Sequence, residues 1–563
     1  MAGLNPYLYS LPASDRKYMP LLASRQGWTP LVPASVAPPS PSAPLGLRAP
    51  IRAASPASRA PARTALGPVA TAASLATLVA GALVLRLALT GRSLWFDEFI
   101  TVQKAGQSLS ALVENLADDV HPPLYYVLLH AWMDLLGHTP LAVRGLSIAW
   151  SAVTIVAVWG WSREAFPRTS GLPAATLAAF APFSVWYATE ARMYAQIFAL
   201  TALAGWLAWR TFARGPQPLT VAALTTTLVA LALTHYFALL FVGSLGVVAF
   251  VLFLTRRSKR TAAAWVATAC VGAVASLLPW LAFVAVQRSP ASPSPTVYPA
   301  PDVFSVLISF LEMVVGFQGV EVLGLLAAGW PLLGLLALVL VPAMGRVAWP
   351  VAGLLTVLAL PAAALVLVSL VGPRSVFDPR FLAVCVVPLY LLLGQIAETR
   401  GRGLWRGTGA AAVVALVSLA VVQNTSSANR KLYDFDGAMA VVNARAEQGD
   451  GLLLLPNFTS AGLAGDPVSA YYPPRTGLRV VNTTGVGQVD PQATRRALGG
   501  AWAALARSRP ARIFVIDAFA ANPKAIVAAS AARTFLQKHT VQVARVDLPQ
   551  MTVHILVPEW GPR

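Results

Sequence analysis

The chain has 563 residues, of which 56% are hydrophobic and only 12% charged, against about 25% charged in soluble domains. So few charges cannot cover a water-exposed surface, and the apolar residues gather in blocks of bilayer-crossing length, about 17–25 residues. The net charge of +19 would point to nucleic acid in a soluble protein. Here Lys and Arg stand in short clusters between apolar blocks, as expected of cytoplasmic loops.

Residues 1–67 are rich in Pro, Ala and Ser without sustained periodicity, which predicts a disordered tail. Arg48, Arg52, Arg59 and Arg63 place that tail in the cytoplasm. The first apolar block, about 69–90, then runs outward as a signal anchor. Further blocks lie at 141–161, 171–187, 195–209, 218–234, 236–255, 262–286, 320–342, 348–371, 381–397 and 408–423. Basic residues such as Arg163, Arg210 and the Arg256–Arg260 cluster fall between them. Residues 121–137 are apolar but short and carry His130, Trp132 and Asp134. A full span there would put the later basic loops outside, so a re-entrant or partial helix is expected. The fold class is thus a polytopic α-helical membrane protein with about eleven spans plus that partial helix. Cys270 and Cys385 sit inside apolar blocks and suggest neither a disulfide nor a metal site.

After residue 423 the pattern changes. Runs of strand length at 452–455 and 513–516, helical stretches at 438–446 and 492–506, and a strand pair at 541–546 and 552–557 predict an extracytoplasmic α/β domain over 424–563.

The residues that carry chemistry fall at the outer ends of the expected spans. Asp97 and Glu98 directly follow the first span. Carboxylates at a membrane boundary suit a general base or a metal ligand, and an ordinary acidic loop fits the spacing equally well. Asp119, His121, Tyr125 and Tyr126 close the same loop around Pro122-Pro123, where His121 also fits a plain turn residue and the tyrosines an interfacial belt. Glu190-Ala191-Arg192-Met193-Tyr194 puts an arginine outside. Arg192 suits a lipid phosphate, which it can grip with two parallel hydrogen bonds, or an ion pair with Glu190. Arg144 and Arg380 are further outer arginines. His235 and Tyr236 also fall at an outer end, where a lone histidine is more often structural.

Trp95-Phe96-Asp97-Glu98, His121-Pro122-Pro123-Leu124-Tyr125-Tyr126, Glu190-Ala191-Arg192-Met193-Tyr194 and Arg380-Phe381 resemble, in order, the GT-C glycosyltransferases. The branch they resemble is that of the bacterial protein O-mannosyltransferase-like and aminoarabinose-transferase-like membrane proteins. The resemblance covers about residues 70–425, and the catalytic domain is expected over 68–423. It implies a polyprenyl-phosphate-linked sugar as donor and an extracytoplasmic glycan, lipid or protein as acceptor, at the inner or plasma membrane. It also implies Asp97 and Glu98 as the catalytic acids, with a divalent cation such as Mg or Mn on the same pair. Arg192, Arg144 and Arg380 become donor-phosphate ligands, and Asp119, His121, Tyr125, Glu190 and Tyr194 substrate-binding residues. The sequence departs from the aminoarabinose branch where that branch has an Asp and this chain offers only Glu190, which puts the metal site in doubt. No nucleotide-binding motif is present. The alternative functions are a lipid-linked sugar translocator, for which mid-bilayer charges are few, and a membrane-anchored binding protein.

Overall fold

Inside a bilayer the backbone must satisfy itself, so apolar blocks fold as helices. The computed structural model describes residues 67–288, 298–318, 349–400, 402–426, 429, 432–455, 468, 471–474, 477–482, 491–518 and 526–560. The expected tail up to residue 66 and the expected span at 320–342 lie outside these. The helices are α1 (Pro68–Ala88), α2 (Phe96–Ala105), α3 (Leu109–Leu116), α4 (Leu124–Leu136), α5 (Pro140–Ala165), α6 (Leu172–Phe180), α7 (Pro182–Ala188) and α8 (Tyr194–Arg214). They continue with α9 (Pro218–Ala232), α10 (Leu239–Thr255), α11 (Arg260–Ala275), α12 (Leu278–Gln287), α13 (Val303–Val315), α14 (Trp349–Val371), α15 (Ala383–Arg400) and α16 (Arg402–Thr425). Proline opens α1, α5, α7 and α9, where its missing N–H is harmless.

Among the described residues six helices are long and apolar enough to cross a membrane. The other expected spans within the described residues fold as helices that are shorter, broken or less apolar. At 171–187 the expected single span is two helices, because Pro182 lacks the N–H that would bond the Ala178 carbonyl. Arg86 repairs the break: its guanidinium donates to the Ala178 carbonyl at 3.2 Å and the Ala179 carbonyl at 2.7 Å. α4 has 13 residues, about 20 Å of helix, too short to cross a core of about 30 Å.

α5 and α8 form the closest pair. Gly205 lies against the Trp161 ring and Gly160 against Trp206, so that no side chain fits at either glycine without displacing an indole. Small residues at a contact let membrane helices approach closely, and here each glycine also makes room for an indole of the facing helix.

The two ends of the helical region differ in chemistry. At the C-terminal end of α5, Glu164 meets Arg214 of α8 at 2.8 Å. Lys259 donates to the Phe212 carbonyl at 2.8 Å and lies over the Trp349 ring. Glu398 accepts from the Ser170 and Gly171 amides. The basic stretches at 210–214 and 256–260 thus share one end with Glu164 and Glu398. Arg144, at the start of α5, lies at the other, about 30 Å away along the helix.

Beyond α17 (Phe435–Arg445) the strands β1 (Gly451–Leu455), β2 (Arg479–Asn482), β3 (Ile513–Asp517), β4 (Thr540–Leu548) and β5 (Met551–Pro558) form one sheet in the order β2-β1-β3-β5-β4. β2, β1 and β3 are parallel, and β5 and β4 add antiparallel. β1 and β3 are buried along their whole length, which is why they read as continuous apolar runs. α18 (Pro491–Ala506) and α19 (Ile526–His539) cover one face, with Leu498, Leu505, Ala532 and Leu536 in its core. The other face joins the main core through Leu452, Leu454, Phe514 and Val553.

Candidate active site

The end of the helical region opposite the basic clusters gathers residues from stretches far apart in sequence. α2 supplies the acidic pair. Adjacent residues on a helix point about 100° apart, so Asp97 and Glu98 face different surroundings. Glu98 is fully buried. Its carboxylate accepts from Arg144 Nε at 2.8 Å and Nη2 at 2.7 Å, from the Ala191 amide at 2.7 Å, and from the Trp95 amide at 3.2 Å. Burial alone would raise the Glu98 carboxyl; Arg144 outweighs it and holds the group below its ordinary value.

Arg144 spends its remaining N–H groups on the carbonyls of Thr90, Arg92 and Ser93, all within 2.9 Å. Both expectations for this pair are therefore revised. Arg144 has no N–H left for a phosphate, and Glu98 has no lone pair directed at a cation. Among the described residues no group of three or more His, Cys, Asp or Glu could hold a metal ion. The residues present do not fit the divalent cation expected on Asp97 and Glu98.

Asp97 faces a different side of α2 and is about one-fifth exposed. It accepts from Arg380 Nη1 at 3.0 Å. Arg380 stands in the turn before α15, where Asp378 caps its backbone and lies 3.3 Å from its Nε. Its Nη2 donates to the Tyr298 hydroxyl at 2.8 Å. Arg192, in the turn between α7 and α8, is 5% exposed. It donates to Thr101 of α2 at 2.7 Å and contacts the Tyr126 hydroxyl. Its Nε has no hydrogen-bond partner among the described residues. Asp97 acts electrostatically on both Arg192 and His121.

His121 donates from Nδ1 to Asp119 at 2.9 Å, and Asp119 also holds Lys104 of α2 at 2.5 Å. Burial would raise the Asp119 carboxyl, but His121 and Lys104 together hold it well below its ordinary value. The His121 imidazole is pushed below its ordinary value, by burial first and by Arg192. The His235 ring lies 5.3 Å from that of His121.

Two further expected residues lie deeper. Tyr125 is fully buried, with its hydroxyl 3.4 Å from Ser147, so it packs under the site and does not line it. Glu190 is fully buried beneath Arg92 and Arg144, on which it acts electrostatically. Tyr194 stands beside both Arg192 and Arg380.

No family model and no curated protein matches the sequence. Solved structures do. ArnT from Cupriavidus metallidurans in the apo state matches with a TM-score of 0.53 at 15% identity, over 86% of this chain and 98% of that one. The chain has the GT-C fold. ArnT bound to undecaprenyl phosphate matches at 14% identity over 87% of this chain and 99% of that one, with a TM-score of 0.47. An Archaeoglobus fulgidus oligosaccharyltransferase tethered with an acceptor peptide matches at 11% identity over 87% and 74%, also at 0.47.

Within the GT-C fold the resemblance read from the four motifs holds at the level of architecture. Lys104, Thr101 and Tyr298 belong to the cluster and are not singled out by the sequence. Lys104 follows Asp97 by seven residues, about two helical turns, a periodicity that could have found it. Tyr298 follows a Pro- and Ser-rich stretch with no pattern to mark it.

Proposed function

We propose that this chain is an integral membrane glycosyltransferase that moves a sugar from a polyprenyl-phosphate donor to an extracytoplasmic glycan, lipid or protein. The observation that carries the reading is Asp97, a part-exposed carboxylate held against Arg380 and next to Arg192 at the end of the helical region away from the basic clusters. Lys and Arg clusters mark cytoplasmic loops, so the site faces outward, the tail is cytoplasmic, and the 424–563 domain sits on the outer side of the 68–423 domain.

In this reading Asp97 takes the proton of the acceptor hydroxyl, whose oxygen attacks the anomeric carbon. The bond from that carbon to the phosphate oxygen breaks, and the polyprenyl phosphate leaves with the electron pair. Charge grows on the phosphate as it leaves. Arg192, whose Nε has no hydrogen-bond partner among the described residues, and Arg380, released from Asp97 by the incoming phosphate, stabilise it. The acceptor oxygen attacks the face of the anomeric carbon opposite the departing phosphate, so the anomeric configuration inverts. His121, set by Asp119 and Lys104, and Tyr194 line the donor's approach. Glu98 and Arg144 do not touch substrate; they fix α2 against α5 and the turn at Ala191.

The test is sugar release from radiolabelled polyprenyl-phosphate sugars by purified protein, with and without divalent cations, comparing wild type with Asp97→Asn. Release by the wild type alone supports the reading. No turnover from any donor by folded protein, with glycan, lipid and peptide acceptors supplied, overturns it.

A further inference from the structure

His235 stands in the turn between α9 and α10 and is 4% exposed. The reaction above leaves it unused. The Phe237 amide donates to its Nδ1 at 3.2 Å. A ring nitrogen that accepts carries no proton, so in the neutral imidazole the hydrogen is on Nε2. Burial, then His121, Arg192 and Arg380, push the imidazole well below its ordinary pKa, which keeps it neutral. Its Nε2 has no hydrogen-bond partner among the described residues. A buried donor left unpaired costs free energy that an arriving acceptor recovers.

The surroundings indicate which acceptor. The His235 ring lies 5.8 Å from Phe381 and 6.3 Å from Tyr194. Phe237 packs on Phe381 at 4.6 Å between ring centroids. The site therefore offers, beside its two arginines, a neutral N–H donor set in an aromatic wall. A phosphate is served by the arginines. A sugar ring presents apolar C–H faces and hydroxyl oxygens, which match an aromatic wall with one fixed donor.

We propose that His235 is the sugar contact of this site, its Nε2–H donating to a hydroxyl oxygen of the transferred sugar while Phe381 and Phe237 cover a face of the ring. This rests on the function proposed above, and it divides the donor between two subsites: phosphate on Arg192 and Arg380, sugar on His235 and the phenylalanines.

The test compares two lipids on the full-length protein, undecaprenyl phosphate and an undecaprenyl-phosphate monosaccharide from a panel of hexoses and pentoses. His235→Ala should weaken the sugar-bearing lipid by about tenfold and leave undecaprenyl phosphate unchanged. His235→Gln, which restores an N–H near the same place, should recover most of the loss. Phe381→Leu should show the same selective loss by removing the wall, and it keeps the test open should His235→Ala not fold. Equal weakening of both lipids assigns His235 to the phosphate and overturns the proposal, as does no change in either. A wild type that binds neither lipid overturns the function itself, and this inference with it.

Discussion

At the scale of the residue, Asp97 and Glu98 are neighbours in sequence with different fates, because a helix turns them to different sides. Asp97→Asn should reduce sugar transfer by about 10²–10⁴-fold, the range of a lost general base, with little change in thermal unfolding. A variant that retains near-wild-type turnover would remove Asp97 from its role. Glu98→Gln should act on stability. Its buried partner Arg144 would lose its counter-charge, which costs about 3–5 kcal/mol and should appear as a large fall in Tm of the detergent-solubilised protein. An unchanged Tm would contradict the structural role of the pair.

His121 gives a pH dependence of stability. Its folded pKa lies below the ordinary value, so as pH falls below about 6.5 the unfolded chain takes up a proton that the folded chain refuses. Stability present above that pH is then lost on acidification. Asp119, also lowered, adds a second loss below about pH 3.9. Thermal unfolding between pH 7 and 5 should show a downward slope, to which the buried His235 contributes with the same sign, and His121→Asn should make it shallower. Equal slopes in the two proteins would count against the assignment.

At the scale of the element, the α5–α8 contact depends on two glycines under tryptophan rings. A methyl group at Gly205 would meet the Trp161 ring in a core packed without spare volume. Gly205→Ala should lower Tm, and Gly205→Leu should prevent recovery of folded protein. A Gly205→Leu variant with wild-type Tm would show that the indole moves freely. The break between α6 and α7 follows the same logic with polar groups: Arg86 donates to the Ala178 and Ala179 carbonyls at the break before Pro182, which explains a fully buried arginine in α1.

At the scale of the whole molecule, the C-terminal region holds the helix that carries Asp97. Phe99 of α2 packs edge-on to Phe435 at 5.4 Å between ring centroids, and Tyr471 and Tyr472 lie within 6.2 Å of it. The Tyr472 hydroxyl accepts from the Leu94 amide at 3.1 Å, and Ser93 Oγ accepts from the Asp436 amide at 2.8 Å. Small displacements of reacting groups can cost about 10²-fold in rate. Phe435→Ala should therefore lower turnover by about tenfold or more without changing membrane insertion, and unchanged turnover would show that α2 holds its place unaided. Orientation is tested separately. Ser110 and Ser258 are exposed at the two ends while Cys270 and Cys385 are buried. Ser110→Cys should react with an impermeant maleimide from outside, and Ser258→Cys only after permeabilisation; the reverse pattern would invert the proposed topology.

Composition and hydrophobic spacing by themselves determined that the chain is a helical membrane protein, that the chemistry after residue 423 changes to strands and helices, and which stretches supply Asp97, Arg192, His121 and Arg380. These properties are local, carried by runs of apolar side chains and by charges at their ends. β2 and α19 escaped because a four-residue strand and an alanine-rich helix carry little period. Only the tertiary structure decided that Glu98 and Arg144 satisfy each other, that Tyr125 lies beneath the site, and that His235 and Tyr298 belong to it. Those outcomes depend on which side chains meet across helices far apart in sequence. Hydrogen-bond saturation belongs to the packed assembly, and no single stretch of sequence records it.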